Sequence, residues 1–126
     1  MKNKFIYFAL LSLIYYSCKP IRKPILNVNH LVYDFKSIGK QDSVAGEFLI
    51  RNSGNDDLII ENIAPSCSCT IIGFEKKAIP PGKSALVKFV YKPVPAYDTG
   101  KVLKEIVLQA NTEERLYVLK IIGSVY

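Results

Sequence analysis

Ser84-Ala85-Leu86-Val87-Lys88-Phe89-Val90-Tyr91 carries the reading of the fold. Ala85, Val87, Phe89 and Tyr91 fall on one side of an extended chain, because successive strand side chains point to opposite faces. Pro80-Pro81-Gly82 precedes this stretch and the Pro93–Gly100 segment follows it, so it is bounded by turn chemistry at both ends. Working outward, the same pattern recurs. Leu31–Phe35, Val44–Arg51, Leu58–Ile63, Cys69–Phe74, Val102–Gln109 and Leu116–Val125 are short apolar stretches rich in β-branched and aromatic residues. Asn52-Ser53-Gly54-Asn55-Asp56-Asp57 and Asn111-Thr112-Glu113-Glu114 separate them as turns. No stretch of useful length has a helical period. About seven strands in about 100 residues predict an all-β, immunoglobulin-like sandwich over residues 28–126. Tyr33, Phe35, Phe48, Phe89 and Tyr91 fit inward positions, with Ile50 on the same face as Phe48.

The N-terminus reads differently. Met1-Lys2-Asn3-Lys4 is basic, Phe5–Tyr16 carries no charge, and Ser17-Cys18 follows. This order predicts a secretory signal over residues 1–17 that ends at a lipidated Cys18. Tyr15 stands where the usual lipoprotein cleavage motif has an aliphatic residue. The apolar run is shorter than the roughly 17–25 residues that span a bilayer, and it lacks the polar face of a core helix. Residues 18–27 (CKPIRKPILN) are expected to form a tether, with Pro20 and Pro24 favouring extended geometry. After Cys18 come Lys19, Arg22 and Lys23 with no acidic run, which fits a lipid-anchored domain facing the periplasm. Anionic head groups attract such cations by about 1 kcal/mol each at most.

Charge and composition limit the remaining functions. The formal net charge is +6 for the whole chain, and loss of Lys2 and Lys4 lowers it by two. That excess is mild, and no basic stripe is interleaved with stacking aromatics, so nucleic acid is not an expected partner. His30 is the only histidine and sits at the start of the domain. No nucleophile elbow, zinc-protease motif or phosphate-binding loop occurs. The acid pairs Asp56-Asp57 and Glu113-Glu114 lie in predicted turns, where adjacent side chains diverge instead of converging on one cleft. The spacing of Asn52, Asn55, Asp56 and Asp57 matches no calcium loop. No catalytic residue, metal site or cofactor is expected from these patterns.

Of the three cysteines, Cys67 and Cys69 remain once Cys18 takes the lipid. Residues i and i+2 of a regular strand lie about 6.6–6.8 Å apart, whereas a disulfide needs Cβ atoms about 3.5–4.5 Å apart. A Cys67–Cys69 bond therefore requires a turn or bulge. Three readings stay open: a structural feature, thiol–disulfide exchange, or Cu(I) held between two thiolates. Tyr97, in the Pro93–Gly100 loop, is the aromatic best placed for an exposed contact with a partner.

Four segments in order carry a resemblance. They are Phe48-x-Ile50-x-Asn52-x-Gly54 with Leu58-x-Ile60, Ser66-Cys67-Ser68-Cys69-Thr70, Ile79-Pro80-Pro81-Gly82, and Leu119-x-Ile121-x-Gly123-x-Val125. Together they resemble a bacterial family of exported Ig-like domains of unknown function, many of them lipoproteins of the Bacteroidetes. The family's fold is similar to that of ASH/Hydin and major sperm protein domains. Ser68 stands where the family motif has glycine, a residue that often marks a positive φ or tight packing. The resemblance implies fold and export. The expected function is that of a lipid-anchored envelope module that binds a protein partner without catalysis, by sheet-edge pairing or loop contacts. The alternative is a thiol-redox or Cu(I)-handling protein that uses Cys67 and Cys69.

Overall fold

A computed structural model describes residues 16–126. Most of the expected signal, residues 1–15, lies outside them. The described residues form eight strands and no helix: β1 (Leu26–Val28), β2 (Val32–Ile38), β3 (Val44–Asn52), β4 (Ile60–Pro65), β5 (Thr70–Gly73), β6 (Ser84–Tyr91), β7 (Gly100–Ala110) and β8 (Leu116–Val125). They build two four-stranded sheets, ordered β1-β3-β6-β5 and β2-β8-β7-β4. All pairings are antiparallel except β2 with β8.

The fold is the expected all-β Ig-like sandwich, with one strand more than the alternation predicts. The addition is β1, whose first two residues fall in the stretch expected to be tether. Leu26 pairs with Asn52 and Val28 with Ile50, so the strand is held by its partner and not by any pattern of its own.

Facing sides of the two sheets make the core. Phe48, Ile50, Val87, Phe89 and Tyr91 come from the first sheet and Ile106, Leu108, Leu119 and Ile121 from the second, all essentially without solvent exposure. Tyr33 packs edge-on against Phe48 and Phe89, at ring separations of 6.4 and 5.1 Å. Phe35 lies 5.7 Å from Tyr91. Phe35 also covers Gly123, where any Cβ would collide with its ring.

The end of the sandwich that residues 21–25 reach is organised by Asn52. Its side chain is fully buried. The amide nitrogen donates to the carbonyls of Asp56 (2.6 Å) and Ile79 (2.8 Å). The side-chain oxygen accepts from Gly54 N–H (3.0 Å) and Ile25 N–H (3.4 Å). Gly82, at φ +77°, donates its own N–H to the Asn52 carbonyl at 2.7 Å. The Asn-x-Gly and Pro-Pro-Gly segments thus meet at one hub, which satisfies polar groups that would otherwise be costly to bury.

Candidate functional site

The opposite end of the sandwich holds every remaining residue singled out from the sequence for partner contact or thiol chemistry. Beyond Pro65 the chain is clamped to β7, with Ser66 N–H donating to the Glu105 carbonyl (2.8 Å) and Ser66 Oγ accepting from Glu105 N–H (3.0 Å). It then turns over Cys67-Ser68-Cys69 and enters β5. Cys67 and Cys69 are joined in a disulfide, with their Cα atoms 5.2 Å apart, shorter than an extended i, i+2 span. The turn that the sequence geometry demands is present. Thr70 N–H reaches back to the Cys67 carbonyl at 3.4 Å, and Cys69 accepts from Lys92 N–H at 2.9 Å. The buried Thr70 hydroxyl lies 3.9 Å from Cys67 Sγ. Ser68 is exposed and does not adopt a positive φ; among the described residues only Lys36 does so without being glycine. Glycine's freedom is therefore not needed at Ser68.

Opposite the disulfide, the Pro93–Gly100 loop is pinned by Asp98, a residue with no sequence signal beyond its place in a loop. Asp98 is only 4% exposed. Its carboxylate accepts from the Tyr91 hydroxyl (2.9 Å), Val94 N–H (2.9 Å) and the Lys104 ammonium (2.7 Å). Burial alone would push the Asp98 carboxyl up, but Lys104, Val94 N–H and the Tyr91 hydroxyl hold it below the usual carboxylate range. Tyr91 is pushed well above the ordinary phenol range, first by burial and then by the Asp98 charge. This network fixes the loop that projects Tyr97, which is 86% exposed as the sequence suggests.

Between disulfide and loop lies a shallow groove of about 460 Å³ lined by Cys69, Ile71, Val90, Pro93, Val94 and Pro95, with Ser43, Ser68 and Lys92 as its polar residues. Ile71, one of its lining residues, is 71% exposed. It sits on β5, which is the outer strand of its sheet and pairs only with β6. With Cys69 bonded to Lys92, ladder alternation turns the backbone groups of Ile72 away from β6, toward the open edge. The other edge strands are shorter or irregular. β1 has three residues. β2 carries a bulge in which Lys36, at φ +67°, is tied to Asp34. β4 shifts register at Asn62. Bulges and charges of this kind blunt a sheet edge.

A second groove, of about 570 Å³, lies farther along the same outer face between Leu49, Leu86, Phe74 and Lys77. Its one acid, Glu75, is paired with Lys77. His30, Asp57, Glu113 and Glu114 are exposed and separate from the disulfide end. Among the described residues, no three His, Cys, Asp or Glu side chains converge as metal ligands.

Loss of the disulfide should cost little. A loop closed over so few residues removes far less chain entropy than the ~3 kcal/mol estimated for 15 residues. Cys67→Ser with Cys69→Ser is expected to fold and to melt within a few degrees of the parent in a thermal scan. A drop of 20 °C would show that the bond holds more than its own turn.

Comparison with known proteins agrees with this architecture. A Porphyromonas gingivalis W83 protein of unknown function superposes with a TM-score of 0.73 at 15% identity. The match covers 88% of this chain and 51% of that one, so the chain spans about half the length of that protein. The ASH/PapD-like domain 7 of human CEP192 gives 0.64 at 9% identity, over 90% of this chain and 95% of that domain. WR4, a C. elegans MSP family member, gives 0.56 at 9% identity, over 80% and 97%. These likenesses establish the fold alone. No curated protein matches the chain. The family described as "Protein of unknown function (DUF1573)" matches residues 26–125, from the first residue of β1 to the last of β8, and the chain belongs to that family.

Proposed function

We propose that this protein is a non-catalytic binding module of the cell envelope, anchored by lipid at Cys18 and facing the periplasm. Its partner is a protein that adds an extended, apolar segment to the edge of β5. The observation that carries this reading is the groove exposing Ile71, Val90 and Val94, next to the loop that carries the exposed Tyr97, beside a strand whose outer edge is open. Edge pairing supplies main-chain hydrogen bonds, and pockets along the strand select side chains. Exposed aromatic and aliphatic anchors supply the buried centre of an interface. Cys18 is exposed and outside the sandwich, as acylation requires.

A photo-crosslinking residue at Ile71 or Tyr97 is expected to capture one discrete envelope protein in intact cells, and Ile71→Lys should abolish capture through Tyr97. Equal capture by a probe at Glu47 on the same sheet would sink the reading. Cys18→Ala should eliminate labelling by a fatty-acid analogue and release the protein from the membrane fraction.

A further inference from the structure

The segment between Cys18 and β1 is not a free linker. Lys23 N–H donates to the Asn55 side-chain oxygen at 2.8 Å, and Asn55 N–H returns a bond to the Lys23 carbonyl at 3.1 Å. The Asn55 amide nitrogen reaches the Ile21 carbonyl at 3.3 Å. Ile25 N–H is held by Asn52, and the Ile25 carbonyl accepts from Ser53 N–H at 3.0 Å. Lys23 also pairs with Glu113 on the β7–β8 turn. Gly54 permits the approach: a Cβ there would collide with the Lys23 carbonyl and would stand 2.6 Å from Ile25 N.

We propose that residues 21–25 are a docked strap that fixes how the domain stands on the membrane; this rests on the reading of Cys18 as the anchor. Only Cys18, Lys19 and Pro20 remain free, a reach of about 9 Å at 3.1 Å per extended residue. An undocked segment from Cys18 to Ile25 would reach about 25 Å and let the domain turn freely. With the strap seated, the end carrying Asn52–Asp57, Pro80–Gly82 and Asn111–Arg115 faces the lipid surface. The ladders run from this end to the other: Arg51 pairs with Ser84, while Val44 and Thr70 both pair with Tyr91. The disulfide turn and Tyr97 are thereby directed away from the bilayer, where a partner reaches them without competing with lipid.

The full-length protein purified in detergent tests the strap without reference to lipid. Hydrogen exchange of the peptide spanning residues 19–26 should slow roughly tenfold or more relative to an unstructured peptide. Asn55→Ala should remove that protection. Gly54→Val should do the same if it folds, and Asn55→Ala, at an exposed residue, decides the matter if it does not. Random-coil exchange in the parent protein would overturn the proposal. Orientation is read in vesicles containing a quencher on the lipid head group, with a fluorophore on Glu114→Cys or on Tyr97→Cys. The label at 114 should be quenched several-fold more than the label at 97, and Asn55→Ala should narrow the difference. Equal quenching in vesicle-bound parent protein overturns the orientation while leaving the anchor intact. Failure to sediment with vesicles overturns the anchor, and the orientation with it.

Discussion

Phe48→Asp is expected to leave the chain unfolded under native conditions. Phe48 is 1% exposed, at the centre of the ring cluster with Tyr33 and Phe89. Burying a large apolar side chain contributes about 1.5–3 kcal/mol, and that is lost. An unpaired carboxylate in its place costs several kcal/mol more unless it neutralises. It belongs to a core cluster of aromatic and aliphatic side chains. The sum reaches the whole stability of a typical domain, about 5–15 kcal/mol. Far-ultraviolet circular dichroism of the variant should lose the β signature, whereas Phe48→Leu should keep it. A cooperative melt of Phe48→Asp near the parent temperature would contradict the packing described above.

Asp98→Ala is the second large effect. Removing the carboxylate strands the Lys104 ammonium and the Tyr91 hydroxyl in a site that is mostly closed to water. Breaking one side of a buried pair costs about 3–5 kcal/mol. For a domain of this size that is a fall in Tm of more than about 10 °C. The Pro93–Gly100 loop should loosen as well, since Val94 N–H loses its acceptor. The pH dependence has a definite sign. Asp98 is held below its ordinary value of 3.8 in the folded state. Its contribution is therefore present above that value and is lost as pH falls through the folded pKa, below about pH 4. Asp98→Asn should be less stable at neutral pH and lose less of its stability on acidification. A parent and variant with parallel acid profiles would show that the pair contributes nothing.

What could be read in advance follows from how local each signal is. β6 and β8 have the boundaries that alternation predicts, because every second residue in each faces the core. The sequence pattern predicts a strand starting at Leu58. Leu58 instead forms a single bridge with Ile79, and β4 starts two residues later and runs to Pro65. Proline is tolerated there because β4 is an edge strand. β2 begins at Val32, one residue beyond the predicted Leu31, and continues past its bulge to Ile38. Asn52 and Asp98 both look like ordinary turn residues in sequence. Their importance comes from partners such as Ile79, Ile25 and Lys104, which only the tertiary fold brings close. The cysteine pair was legible as a geometric demand for a turn, and Tyr97 as an exposed aromatic. The open edge of β5 was not, because which strand ends up outermost is a property of the whole sheet.

The parallel pairing of β2 with β8 sets a condition on how this molecule comes into being. Tyr33 pairs with Ile121 and Ile38 with Val125, so most of the sandwich domain lies between the partners in sequence. β8 is also an inner strand, flanked by β2 and β7. A nascent chain that lacks Leu116–Val125 has no centre for its second sheet, and β2 has nothing to hydrogen-bond. Closing so long a loop must precede any gain from that contact, which places such topologies among the slow folders, on the scale of milliseconds to seconds. The second sheet of such a chain therefore closes only once its last strand has been made.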